Sequence, residues 1–217
     1  LWKIYIVQLI IEDLIKNNKC FGQANEVKEK LIEANLIEEN NTLKRLLNKA
    51  KTFAKRLIEL DSIEAGATLD SGVTGKITFK TPSDDLHKRG YISVDELLEK
   101  INNYSVGLGY SYWLLFDRLD VAFDQSISLE KNALRALFKV YRDIEEYQSI
   151  RLKIFLRDDI WKRITEEGFR EASHITRYTT IAWQMSKLLN LIVIRALDSI
   201  ELVQAYNVQV DEVKADY

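Results

Sequence analysis

Apolar residues keep a helical rhythm through the first half of this chain and collect into short unbroken runs in the second. From Leu1 to Lys16 the polar positions are mainly Lys3, Gln8, Glu12, Asp13 and Lys16, a narrow stripe that predicts a helix buried around most of its circumference. Asn17-Asn18, and then Gly22, close it. Val27, Leu31 and Ala34 predict a second, weaker helix. Leu43, Leu46, Leu47, Ala50, Phe53, Ala54, Leu57 and Ile58 follow helical spacing closely. Ser93-Val94-Asp95-Glu96 is a capping box that opens a helix with Val94, Leu97, Leu98 and Ile101 on its buried face. After the Gly107-Leu108-Gly109 turn, Tyr112-Trp113-Leu114-Leu115-Phe116 is apolar throughout, which predicts a strand buried on both faces.

The pattern after that strand changes what the fold must be. A helix capped near Ser128 carries Leu134, Leu137, Phe138, Tyr141 and Ile144 on one face, and a second buried strand is expected from Leu152 to Leu156. Strand, helix and strand, with each strand ending in charge, predict a βαβ unit and a parallel sheet. Thr179 to Trp183 reads as a third short strand, and Ser186 as the cap of a last long helix with Leu188, Leu189, Leu191, Ile192, Val193 and Ile194. From Val208 onward the tail is weakly patterned. Between Gly66 and Pro82 the glycines, threonines and Ile77-Thr78-Phe79 predict a hairpin or a short strand with loops. Gly75-Lys76 resembles the end of a phosphate-binding loop, but Asp70 and Ile77 occupy the positions that need Gly and Ser/Thr, so it is rejected.

Composition excludes several classes. With a net charge of −2 there is no global drive toward nucleic acid or an acidic membrane. The single Cys20 rules out an internal disulfide framework and fits a reducing cytoplasm. Two histidines and one cysteine argue against a His/Cys zinc site, and neither His87 nor His174 sits in a nucleophile motif. Leu1 to Ile15 is too short and too interrupted to span a membrane and lacks the layout of a signal peptide. The chain starts at Leu1 inside an apolar pattern, which suggests a fragment or a trimmed chain. The helix of residues 44–58 carries Lys44, Arg45, Lys49, Lys51, Lys55 and Arg56. That stripe reads first as a solvated face; an acidic partner or nucleic acid is the alternative, without interleaved aromatic residues for stacking.

An acid at the carboxyl end of a buried parallel strand stands where open α/β sheets bind ligands, so Tyr112–Asp117 is a candidate Walker B strand. "WLLFDRLD", a helix, "IFLRDDIW" and then "ITRYTTIAWQMSKLLNLIVIRAL" together resemble a family of predicted bacterial P-loop ATPases near the KAP and STAND types of the additional-strand class. "LWKIYIVQLI" looks like the helix that follows the phosphate loop there. The resemblance implies an α/β fold, a parallel-sheet P-loop NTPase-like core over residues 1–205. A helical and loop insertion fills 17–109, the Walker B strand, sensor strand and C-terminal helix occupy 110–200, and 206–217 is a tail.

It also implies ATP and Mg²⁺ as cofactors. Asp117 would orient the metal through a water, and Asp120 would polarise the attacking water or hold a catalytic loop. Arg157 would read the γ-phosphate, and Arg195, on the last long helix, would contact the nucleotide as a second sensor. The implied parent is a regulatory or defence-related switch that self-associates or meets a partner protein. Two departures stand out. The phosphate loop is missing from this chain and is expected upstream of Leu1, and Arg118 replaces the acid that many such ATPases carry. Two other readings are a non-catalytic interaction module acting through its helical insertion, and a metal-dependent nuclease built on strand-end acids with Lys153. The nuclease reading lacks an acid-x-Lys pair on one strand.

Overall fold

The computed structural model describes residues 1–38, 41–62, 76–119, 127–166 and 168–216. It divides into two compact units, 1–172 and 173–217, a boundary that the expected 1–205 domain would span. In the first unit, helix α1 (Trp2–Lys16) is the hub, contacting α2 (Gly22–Glu33), α3 (Leu43–Ser62), α5 (Val94–Gly107) and α6 (Ile127–Ile144). The near-continuous apolar surface anticipated for α1 is buried, including Ile4, Ile6, Val7, Ile10, Ile11 and Leu14.

Its polar stripe is not all solvated. Gln8 and Glu12 are buried; Gln8 Nε2 donates to the Leu36 carbonyl at 2.7 Å, and Glu12 accepts from Asn41. Those partners sit on the turn after α2, where periodicity within α1 carries no information about them. Lys3 stays half-buried and bridges Asp95 of α5 and Asp143 of α6, each at 2.7 Å. The segment expected to be an insertion therefore supplies α2, α3 and α5 directly to the core around α1.

The capping box forms as the sequence predicts. Ser93 Oγ accepts from the Glu96 N–H, and the Glu96 carboxylate accepts from the Ser93 N–H at 2.7 Å, so two donors at the start of α5 are satisfied. Val94, Leu97, Leu98 and Ile101 are buried below it. Of the hairpin or short strand expected between Gly66 and Pro82, the described part is a short strand, β1 (Ile77–Thr78), which pairs in parallel with β2 (Ile92–Ser93); residues 66–75 lie outside the described residues. The short helix α4 (Asp84–Lys88) lies between the two strands.

β3 (Tyr112–Phe116) and β4 (Ile150–Ile154) form a parallel pair running from Tyr112↔Ile150 to Phe116↔Ile154, with α6 as their connection. The βαβ unit is present. β3 is not buried on both faces: Leu114 and Phe116 point into the core, while Trp113 and Leu115 are 60% and 61% exposed. A run of five apolar residues does not reveal whether one face or two will be covered. On the outer face the Lys153 ammonium lies 4.9 Å from the Trp113 ring centre, a cation–π contact.

β4 begins two residues earlier than expected, because Ile150 and Leu152 are its inward residues, while Phe155 is exposed beyond its end. Asp158 and Asp159 do not terminate the strand. They open α7 (Asp158–Thr165), where carboxylates suit the positive end of the helix dipole. Among the described residues the architecture is mixed α/β with two short parallel sheets of two strands each.

The second unit holds α8 (Met185–Leu197), α9 (Ile200–Ala205) and α10 (Val210–Asp216). Residues 179–183 form no strand and are exposed, since no neighbouring strand lies beside them among the described residues. α8 starts at Met185, with Gln184 at its cap position, so Ser186 lies inside the first turn. Ser199 instead caps α9, accepting from the Leu202 N–H at 3.4 Å. The tail beyond Val208 is helical rather than irregular, and an apolar hollow lies between Val193, Ile194, Leu197, Val213 and Lys214. Among the described residues no helix is long and apolar enough to cross a membrane.

Candidate functional site

The carboxyl ends of β3 and β4 are adjacent, since the Phe155 N–H donates to the Phe116 carbonyl at 2.8 Å. Asp117 leaves β3 at this point and Arg157 follows β4. Helix α1 lies over the same strand in the opposite direction. Trp2 and Tyr5 in its first turns pack on Phe116, with ring centres 5.7 and 6.0 Å away, while Asp13 near its other end influences Tyr112 at the strand's start. The amino end of α1 is thereby brought to the strand end that carries Asp117. Helix amino ends present unsatisfied N–H groups and the positive pole of the dipole, and ligands of α/β sheets bind outside carboxyl strand ends.

Asp117 is exposed, and its Oδ1 accepts the Arg118 N–H at 2.8 Å. Arg118 has φ +53°, a left-handed conformation that a side chain of this kind adopts at some cost, and the Asp117 bond supports that turn. Leu119 then returns to the core at 6% exposure. Asp120 lies outside the described residues.

Arg157 is exposed and already engaged. Its Nε and Nη2 each lie 3.0 Å from a carboxylate oxygen of Asp159. Desolvation works against the Asp159 anion, but the Arg157 guanidinium and the backbone N–H groups of Asp159 and Ile160 together hold the carboxyl below its ordinary value. Asp158 pairs with Lys162 at 2.6 Å. Arg195 lies on α8 in the second unit, exposed to solvent. The structure brings Asp117 and Arg157 to neighbouring strand ends and places Arg195 in a separate unit.

These donors bear on the implied Mg²⁺ and ATP. Among the described residues no three His, Cys, Asp or Glu side chains converge as a metal cage. A single exposed carboxylate beside a helix amino end fits a Mg²⁺ that takes its remaining ligands from water and phosphate oxygens, as this ion commonly does. Lys153, which a nuclease would turn toward an acid, points to Trp113 on the outer sheet face.

On α3 the basic stripe is partly committed. Lys49 pairs with Glu38 at 2.6 Å and donates to Asn35 at 3.3 Å, and its ammonium holds the Glu38 carboxyl below the usual range. Lys44, Arg45 and Lys55 are exposed, and the Arg56 side chain lies outside the described ones.

Sequence reasoning missed a chain of contacts behind Arg157. Arg163 lies 3.9 Å from Asp159 and 2.9 Å from Glu130 of α6, whose side chain is nearly buried. The Asp159/Arg163 spacing of one helical turn was a usable signal; nothing in the sequence pointed to Glu130. Comparison of the chain with protein-family models, with curated proteins and with solved structures finds no match.

Proposed function

We propose that residues 1–172 form the Walker B and sensor half of a nucleotide site in a STAND/KAP-like switch ATPase, with ATP and Mg²⁺ as its ligands. The observation that carries this reading is the antiparallel seating of α1 on β3, with Trp2 and Tyr5 against Phe116. A phosphate loop joined to the amino end of such a helix would lie beside Asp117, and phosphoryl transfer is catalysed chiefly by that kind of positioning. In this reading Asp117 orients Mg²⁺ through water and Arg157 offers its fork to the terminal phosphate. Arg118, in place of a second acid, leaves the polarising role to Asp120. The rival reading, an interaction module that uses α3, has less behind it, since Lys49 already neutralises Glu38.

The test uses the natural protein with the residues that precede Leu1. Those residues are expected to include Gly-x-x-x-x-Gly-Lys-Ser/Thr, and Asp117→Asn is expected to weaken Mg²⁺-dependent ATP binding by about 10- to 100-fold, the usual effect of losing an outer-shell metal partner. Calorimetry with and without EDTA reads this directly. An upstream segment lacking the motif, or a variant that binds Mg²⁺-ATP like the parent, sinks the proposal.

A further inference from the structure

Arg157 is paired with an acid on the first turn of the next helix. Its guanidinium takes both carboxylate oxygens of Asp159, at 3.0 Å each, in the planar fork arrangement that also suits phosphate. Asp159 belongs to the first turn of α7, where the neighbouring Ile160 is buried. The rest of α7 is fastened to α6: the Phe138 and Trp161 rings meet edge to face at 5.1 Å, and in the last turn Arg163 meets Glu130 at 2.9 Å. At its end Arg135 of α6 donates to the carbonyls of Ile164 and Glu166, at 2.9 and 2.6 Å, satisfying the terminal acceptors of the helix. Arg157, by contrast, is the cap residue on the short link from β4, with its side chain 68% exposed. Both side chains of the pair are open to solvent, so a phosphate can reach the guanidinium.

We infer that Asp159 is a positioning residue for Arg157: its carboxylate and the terminal phosphate of a bound nucleoside triphosphate compete for one guanidinium, so the pair sets how strongly the site prefers tri- over diphosphate. This rests on the proposed nucleotide site. The pair is exposed, and exposed pairs are weak, so the competition is easily won by phosphate and suits a switch rather than a permanent lock.

The experiment measures ATP and ADP affinity by calorimetry for the natural full-length protein, Asp159→Asn, Arg157→Ala and the double variant. Asp159→Asn is expected to tighten ATP about two- to fivefold, the range set by an exposed pair, with ADP unchanged. The gain should vanish in the Arg157→Ala background, and Asp159→Glu should restore the parent value. Equal tightening of ATP and ADP, or a gain that survives Arg157→Ala, would mean that removing a negative charge acts through the general field and overturns the inference. So would unchanged ATP affinity in a protein whose binding does respond to Asp117→Asn. If the parent binds neither nucleotide, the proposed site itself falls and takes this inference with it.

Discussion

The Tyr5 ring is stacked on Phe116, with centroids 6.0 Å and planes 20° apart. Tyr5 lies in the first helix, Phe116 is the last residue of β3, and Asp117 follows it. That contact fixes which end of α1 meets which end of the strand. A helix that crossed β3 the other way would place Lys16, rather than Trp2, at the carboxylate.

If this contact organises the unit, Phe116→Ala should be costly. Phe116 is 6% exposed and touches both Trp2 and Tyr5, and truncation of a core Phe costs about 3–5 kcal/mol. Phe116→Leu should cost about 1.5 kcal/mol or less, because most of the volume survives. Urea unfolding monitored by circular dichroism measures both. A loss below about 1 kcal/mol for the alanine variant would show that α1 does not rest on the strand end.

Trp113 provides the opposite expectation. At 60% exposure its indole covers the outer face of β3, so Trp113→Ser should change stability by about 1 kcal/mol at most. A strand buried on both faces would lose about 3–5 kcal/mol at this position. The same unfolding experiment separates the two.

Trp113 also marks where the sequence stops being legible. Periodicity shows which residues share a face, and it correctly grouped Val94, Leu97, Leu98 and Ile101 below the Ser93 cap. It also showed the strand–helix–strand order of β3, α6 and β4, and put Asp117 and Arg157 after the two strands. It does not show what covers a face. An unbroken apolar run therefore reads Trp113 and Leu115 as core, and the polar stripe of α1 does not disclose that Leu36 and Asn41 reach Gln8 and Glu12 from a distant turn. Thr179–Trp183 has β-favouring residues but no strand to pair with among those described, and a lone strand has no partner for its backbone groups. The Glu130–Arg163 pair joins residues far apart in the chain, and no local spacing encodes it.

That pair yields a third expectation. Glu130 is 8% exposed and Arg163 is about a third exposed, so Glu130→Ala removes an acceptor from a partly desolvated guanidinium. Solvent reaching Arg163 moderates the loss, and a cost of about 1–3 kcal/mol is expected. Because α7 also rests on Phe138 and Arg135, the variant should still fold. Hydrogen exchange should show the loss concentrated in residues 158–165; uniform loosening across the unit would contradict the view of α7 as a separately fastened element.

Ser93→Ala tests the cap. The hydroxyl satisfies one N–H at the start of α5, and such caps are worth about 1 kcal/mol, at most about 2. Glu96→Ala removes the reciprocal bond, and the double variant should lose less than the sum of the two, since each bond positions the other. Strict additivity in urea unfolding would mean that the two bonds act independently.

The last expectation concerns the other end of the same strand. The Tyr112 hydroxyl is buried and faces the Asp13 carboxylate, close enough to feel it, but the contact falls outside ordinary hydrogen-bond geometry and no other described residue offers a partner. Burial, and after it the nearby Asp13, Tyr104 and Cys20, push the phenol up to about 12 from an ordinary value of 10.0. With the folded value raised, the unfolded chain releases this proton first. The contribution of Tyr112 to stability is therefore intact below pH 10 and is lost as the pH climbs from there through about 12. Within that window the wild-type stability should fall more steeply than that of Tyr112→Phe, by up to about 1.4 kcal/mol per pH unit for one proton. That loss widens a gap already present at neutral pH, where Tyr112→Phe removes a buried hydroxyl that lacks a well-formed bond and should stabilise the fold by about 1 kcal/mol. Urea midpoints for both proteins at pH 7 and from pH 9.5 upward test both halves. A phenylalanine variant that is less stable at pH 7 would mean that the hydroxyl is bonded to Asp13 after all, tying the end of α1 to the start of β3.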